Sequence, residues 1–183
     1  MTTLTLERTE ANGSVTWGRL SCEGEGWFSV ETMEGKLPKA DAAYSVQTLP
    51  AGQYRIIPAM ALVRYKGRQM ELPWFYFCPV PHYPRAGFYG DDGRTQGGQI
   101  QLSLGRADDF TPDRRDEAVF KMAQLANKLI KAGETEAVLD IRECRDTMQI
   151  SSFSIIDKQR EEAYAEEMRE RQEHLDFLKS LDL

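Results

Sequence analysis

Histidine and cysteine are scarce in this sequence. There are two histidines, His82 and His174, and three cysteines, Cys22, Cys78 and Cys144. The cysteines are odd in number, far apart and never arranged as CxxC, which argues against a zinc site and against a disulfide framework. The expectation is three reduced, mostly buried thiols, packed as small apolar side chains, with no metal and no cofactor. Basic clusters are lacking too. The net charge is −6, which speaks against a nucleic-acid partner, because such a partner needs a cationic face to displace counterions. No apolar run approaches the roughly 18 residues that span a bilayer. The opening "MTTLTLERTE" has no basic segment followed by an apolar stretch of signal-peptide length. These absences predict a cytoplasmic protein with no membrane partner. What remains is 183 residues, 41% hydrophobic and 28% charged, enough for one domain with a real core and an appendage.

Most of the chain reads as strand. "LTLERTE" and "SVTWGRLSC" alternate apolar and polar residues on either side of Asn12-Gly13, a strong hairpin signal. "GWFSVETM" is a third strand, and residues 34 to 44 form a loop without period. Pro50-Ala51-Gly52 turns the chain into a strand at Tyr54–Ile57, and Lys66-Gly67 turns it again. "ELPWFYFCPVPHYP" is aromatic and proline-rich. Each proline removes a ladder donor, so this run belongs on a sheet edge or in an ordered loop. "GGQIQLSLG" alternates, with Ile100, Leu102 and Leu104 on one face and Ser103 on the other, read as solvent-facing.

The period then changes. Thr111 suits a helix cap and Pro112 a first helical position. Val119, Met122, Leu125, Ala126, Leu129 and Ile130 recur at helical spacing, and Gly133 ends the run. A helix from Pro112 to Ala132 is expected, followed by a strand in "EAVLDIREC". The expected fold is α+β: a mostly antiparallel or barrel-like sheet over residues 1–150 with one amphipathic helix packed on it. Residues 151–183 form a linker and a C-terminal helix. From Asp157 onward the tail carries nine acids against five bases, most of the chain's negative charge. Tyr164, Met168, Leu175, Leu178 and Leu181 form a narrow apolar seam, which suits either the chain's own body or a partner helix.

The stretch "GFYGDDGRTQGGQIQLSLG" has the look of a catalytic loop but holds no histidine, cysteine or lysine. Acyl-transfer chemistry needs a nucleophile, a base within hydrogen-bond reach and oxyanion donors. Gly97-Gly98 offers backbone N–H groups, but no nucleophile stands beside them. Asp91 and Asp92 lie among glycines and lack the oxygen-rich spacing of a calcium loop, so a turn role is expected. Cys78 and His82 form the one other candidate pair. On an extended strand their Cα atoms would lie roughly 13 Å apart, so a tight turn at Pro79-Val80-Pro81 would be needed to join them. The dense aromatic segment suits either core packing by an edge strand or a recognition surface, with Trp74, Phe75, Tyr76, Phe77, His82 and Tyr83 as candidate contacts in the second case.

Several of these motifs resemble a family of small phage and bacterial domains of unknown function. They are Arg8, the strand Thr16-Trp17-Gly18-Arg19-Leu20, the strand Glu31-Thr32-Met33-Glu34 and the turn Leu49-Pro50-Ala51-Gly52-Gln53-Tyr54. The second half of that family is similar to the His and Gly-Cys motifs of L,D-transpeptidases, which cross-link peptidoglycan through a cysteine and a histidine. The resemblance spans about residues 1–143. Val80-Pro81 matches its Val-Pro step. Phe88-Tyr89-Gly90-Asp91 stands where His-x-Gly-Asn is found, and Thr95-Gln96-Gly97-Gly98-Gln99-Ile100 where Thr-x-Gly-Cys-Ile is found, with one extra residue. Phe88 thus takes the base position and Gly98 the nucleophile position. The resemblance implies a scaffold that has given up cysteine chemistry. It would serve as a non-catalytic binding or assembly protein of a phage or prophage, such as a virion component or an inhibitor of a host protein, or through self-association. The alternative is a cell-wall binding or remodelling protein whose nucleophile has moved to Cys78 and base to His82.

Overall fold

A computed structural model describes residues 1–11, 15–35, 47–90, 97–105, 112–143 and 150–180, with the side chains of 112, 113, 150–163 and 179 excepted. The described elements are β1 (Thr3–Ala11), β2 (Thr16–Cys22), β3 (Ser29–Glu34), β4 (Gly52–Tyr65), β5 (Arg68–Phe77), β6 (Gly87–Tyr89), β7 (Gln99–Ser103), α1 (Pro112–Lys131), β8 (Ala137–Arg142) and α2 (Ile150–Ser180). Asn12-Gly13, residues 36–44, Asp91, Asp92, Thr95, Gln96, Thr111, Cys144 and Leu181 lie outside the described residues. No helix among the described residues is long and apolar enough to cross a membrane.

The eight strands form one sheet in the order β5-β4-β8-β1-β2-β3-β7-β6. Pairing is antiparallel except at β1–β8 and β6–β7, which are parallel. The sheet curls until its two terminal strands meet, and the Trp74 indole Nε1 donates to the Phe88 carbonyl at 3.2 Å. The expected α+β body with a barrel-like sheet therefore stands at that level of description.

Period-two patterning decides which residues line the interior. Leu4 sits opposite Cys22 and Leu139, Leu6 opposite Leu20 and Ile141, Leu20 opposite Val30, Tyr54 opposite Leu139, and Phe88 opposite Ile100. All are buried, so one face of the curled sheet is a continuous apolar core.

One charged cluster sits on this inner face. Arg8 is buried and makes a bidentate pair with Glu34, Nε to Oε2 at 3.0 Å and Nη2 to Oε1 at 2.8 Å. It also donates to the Leu49 carbonyl at 2.6 Å and to Glu143 at 2.5 Å. Gly18 lies opposite Arg8 in the register, and a Cβ there would stand 2.8 Å from both the Glu7 carbonyl and the Thr32 hydroxyl. Burial works against the guanidinium charge, but Glu34 and Glu143 outweigh it and hold Arg8 protonated.

β4 explains a feature the sequence hides. Its first half buries Tyr54, Ile56 and Pro58, and its second half buries Ala61 and Val63 on the opposite face. Past Ile56 the strand loses its β8 neighbour and pairs only with β5. There it lies against α1, which packs on β4, β5 and β7. The resulting two-stranded arm ends in a Lys66-Gly67 turn, both residues at positive φ, the geometry of a type I′ hairpin.

α1 buries Val119, Met122, Leu125, Ala126 and Leu129. It stops in a Schellman motif, with Gly133 N–H donating to Ile130 O and Glu134 N–H to Leu129 O. Its position corrects one expectation: Ser103 does not face solvent but is fully buried. The outer face of β7 is covered because α1 lies on it.

Candidate binding cleft

The glycine-rich loop and the aromatic segment, read separately in the sequence, meet at the seam between β5 and β6. A cleft of about 480 Å³ opens there. Phe75, Phe77 and Phe88 line it together with Leu62, Arg64 and Gln69 of the β4–β5 arm and Pro84 and Tyr89 of the opposite wall. The Phe77 and Phe88 rings pack at 5.2 Å between centroids. Arg64 and Gln69 face each other across the arm in register.

Neither position singled out for catalysis carries a group that can exchange a proton or attack. Phe88 is buried on β6, its ring inside the core. Gly98 has φ +81, and its N–H donates to the Gln47 carbonyl at 3.2 Å. That bond takes the donor an oxyanion would need. A Cβ at Gly98 would meet Tyr83 Cβ at 3.1 Å, so both backbone angle and space favour glycine. Tyr89 stands next to Phe88 and donates its hydroxyl to the Arg85 carbonyl at 2.9 Å. Burial pushes its phenol up, against smaller opposing effects from Gln99 and Arg85. It therefore stays a neutral hydrogen-bonding group near pH 7.

Cys78 and His82 border a second groove, of about 420 Å³, between the proline-rich loop and α2. The chain turns tightly at Val80–Tyr83, with Tyr83 N–H donating to Val80 O at 3.1 Å. Pro81 fills the second place of this turn, and His82 fills the third at φ +66, where glycine is usual. α2 reaches this surface through Tyr164, which sits beside Arg55 and Cys78–Pro81, and through Glu167 and Arg171. Of the other two cysteines, Cys22 is buried, and burial pushes its thiol up to about 11.

The predicted contact residues therefore divide. Trp74, Phe75 and Tyr83 are core residues, at 5%, 1% and 3% exposure, and their rings are spent on packing. Tyr76 is half exposed, His82 is exposed and Phe77 is partly covered. On α2, Tyr164 touches the body, whereas Met168, Leu175 and Leu178 are exposed, as is Phe177, which sequence reading passed over. Leu62, Arg64, Gln69 and Tyr89 were missed as well. The apolar run "IIPAMALV" was the available signal: it is apolar on both faces, and only one of them can line the barrel. Among the described residues no group of His, Cys, Asp and Glu is placed to hold a metal.

No protein-family model, curated protein or solved structure matches the chain.

Proposed function

We propose that this protein acts by binding another protein and does no covalent chemistry, on a scaffold like that of the phage and bacterial domains with an L,D-transpeptidase-like half. The observation that carries the reading is the cleft between β5 and β6. It is concave, it presents Tyr76, Phe77 and Tyr89 over the buried Phe75 and Phe88, and it is bordered by an arginine and a few hydrogen-bonding groups, the make-up of a recognition pocket. At the two positions where the resemblance puts a base and a nucleophile, the chain has a buried phenyl ring, Phe88, and a glycine, Gly98, whose N–H already donates to the Gln47 carbonyl. A phage or prophage setting, with a virion component or a host protein as partner, agrees with that scaffold.

A photo-crosslinking residue at Tyr76, half exposed on the cleft wall, tests this. A discrete protein adduct is expected, lost on Leu62→Asp. Turnover of muropeptides by the purified chain, or no adduct in cells that express it, overturns the reading.

One observation favours a second reading, a cell-wall enzyme that uses Cys78 and His82. The tight turn that such a pair requires is present at Val80–Tyr83, and both residues border one groove. A thiol-reactive probe over a pH series separates the two. A fast-reacting Cys78 with a low titration midpoint supports the enzyme, and slow labelling of every thiol supports the binder.

A further inference from the structure

The charge of this chain is segregated. The tip of the β4–β5 arm presents Arg64, Lys66 and Arg68, all exposed, against Glu71 alone. Asp116 of α1 accepts the Lys66 backbone N–H beside it. The same arm exposes Met60 at 49% and Leu62 at 73%, a basic and apolar surface on a protein of net charge −6. The complementary surface is on α2. Glu166, Glu170 and Glu173 follow at helical spacing and align with Phe177, which is 58% exposed. This face lies opposite the one by which Tyr164 meets the body.

The two surfaces do not meet within one chain. Tyr164 fixes α2 at the root of the arm, beside Arg55. Arg64 lies about 30 Å farther along the strand and Glu173 about 14 Å along the helix from Tyr164, and among the described residues α2 does not pack extensively on β4 or β5. We infer that the acidic face of α2 in one copy docks on the basic tip of the β4–β5 arm in a second copy, with Phe177 set against Met60 and Leu62. Opposite charge selects the partner and the register, and the apolar contact excludes water. Leu62 and Arg64 also border the cleft, so a second copy on the arm and a partner in the cleft would exclude one another, while self-association of the purified chain is read with no cleft partner present.

Sedimentation velocity of the full chain over a range of concentration and salt tests it. Wild type is expected to self-associate, more weakly as salt rises. Arg64→Glu/Arg68→Glu and Glu170→Lys/Glu173→Lys are each expected to weaken self-association by at least about tenfold. All four positions are exposed, and circular dichroism checks that both variants fold. Mixing the two variants restores a one-to-one complex, because one supplies an intact helix face and the other an intact arm. A monomer at every concentration overturns the inference. So does self-association that survives Arg64→Glu/Arg68→Glu, which would assign pairing to the Met168, Leu175 and Leu178 seam. Salt-sensitive binding to phosphatidylserine vesicles without self-association also overturns it and gives the arm to a membrane surface.

Discussion

Replacing Arg8 with methionine removes the one cation that the described residues place in the interior cluster. Glu34 is 1% exposed, and both of its carboxylate oxygens are held by the Arg8 guanidinium. In the variant that carboxylate stays buried with no counter-charge. Breaking a buried pair from one side costs about 3–5 kcal/mol, and the Leu49 carbonyl loses its donor for about 1 kcal/mol more. Against a typical domain stability of about 5–15 kcal/mol, about a quarter or more of the total is lost. With a urea slope of about 2 kcal/mol/M, the unfolding midpoint falls by about 2–3 M. Arg8→Met/Glu34→Met is the control. Replacing both partners with apolar side chains leaves no stranded charge at Glu34, and such swaps are often near neutral. The double variant should therefore be more stable than Arg8→Met alone. A loss below about 1 kcal/mol for Arg8→Met, the range of a surface pair, would refute the buried-cluster argument. A double variant less stable than the single would refute it as well.

The same cluster gives a pH signature. Burial raises the Glu143 carboxyl; Arg8 opposes this and the Glu34 charge adds to it, with a net upward shift. A carboxyl raised in the fold binds more protons there than in the unfolded chain, so its contribution to stability falls as pH rises from the ordinary glutamate value through the folded one. Glu143→Gln should gain on wild type toward neutral pH and lose that advantage in acid, as read by urea unfolding across pH 4 to 7. Gly90→Ala should destabilise by about 1–3 kcal/mol, because its Cβ would clash with Val119 Cγ2; Val119→Ala should recover part of the loss in thermal unfolding. His82→Gly should stabilise by up to about 1 kcal/mol, since the turn holds His82 at φ +66; a lower melting temperature would refute that account.

Much of the candidate site was legible as pieces and illegible as a place. The aromatic segment and the glycine-rich loop each stand out in the sequence, but nothing in either says that β5 and β6 are the two ends of one sheet. Their meeting depends on a long-range ordering of strands, and local patterning carries no record of it. For the same reason Trp74 and Phe75 looked like surface contacts. An aromatic residue suits a core and an interface equally, and only the neighbours brought in by the fold distinguish them.

The sequence by itself determined most of the strands, though not the three-residue β6, which it shows only as part of a glycine-rich loop, together with the α1 helix and its glycine stop, the Lys66-Gly67 turn and the acidic tail helix. Each follows from short-range rules: alternation, helical period, capping and turn stereochemistry. Tertiary structure alone decided that Ser103 is buried, that Arg8 is enclosed by two glutamates, and that β4 changes its buried face halfway along. It also decided that Leu62 and Arg64 border the cleft. Those outcomes depend on which surfaces the curled sheet and α1 cover, and burial is a property of neighbours distant in the chain.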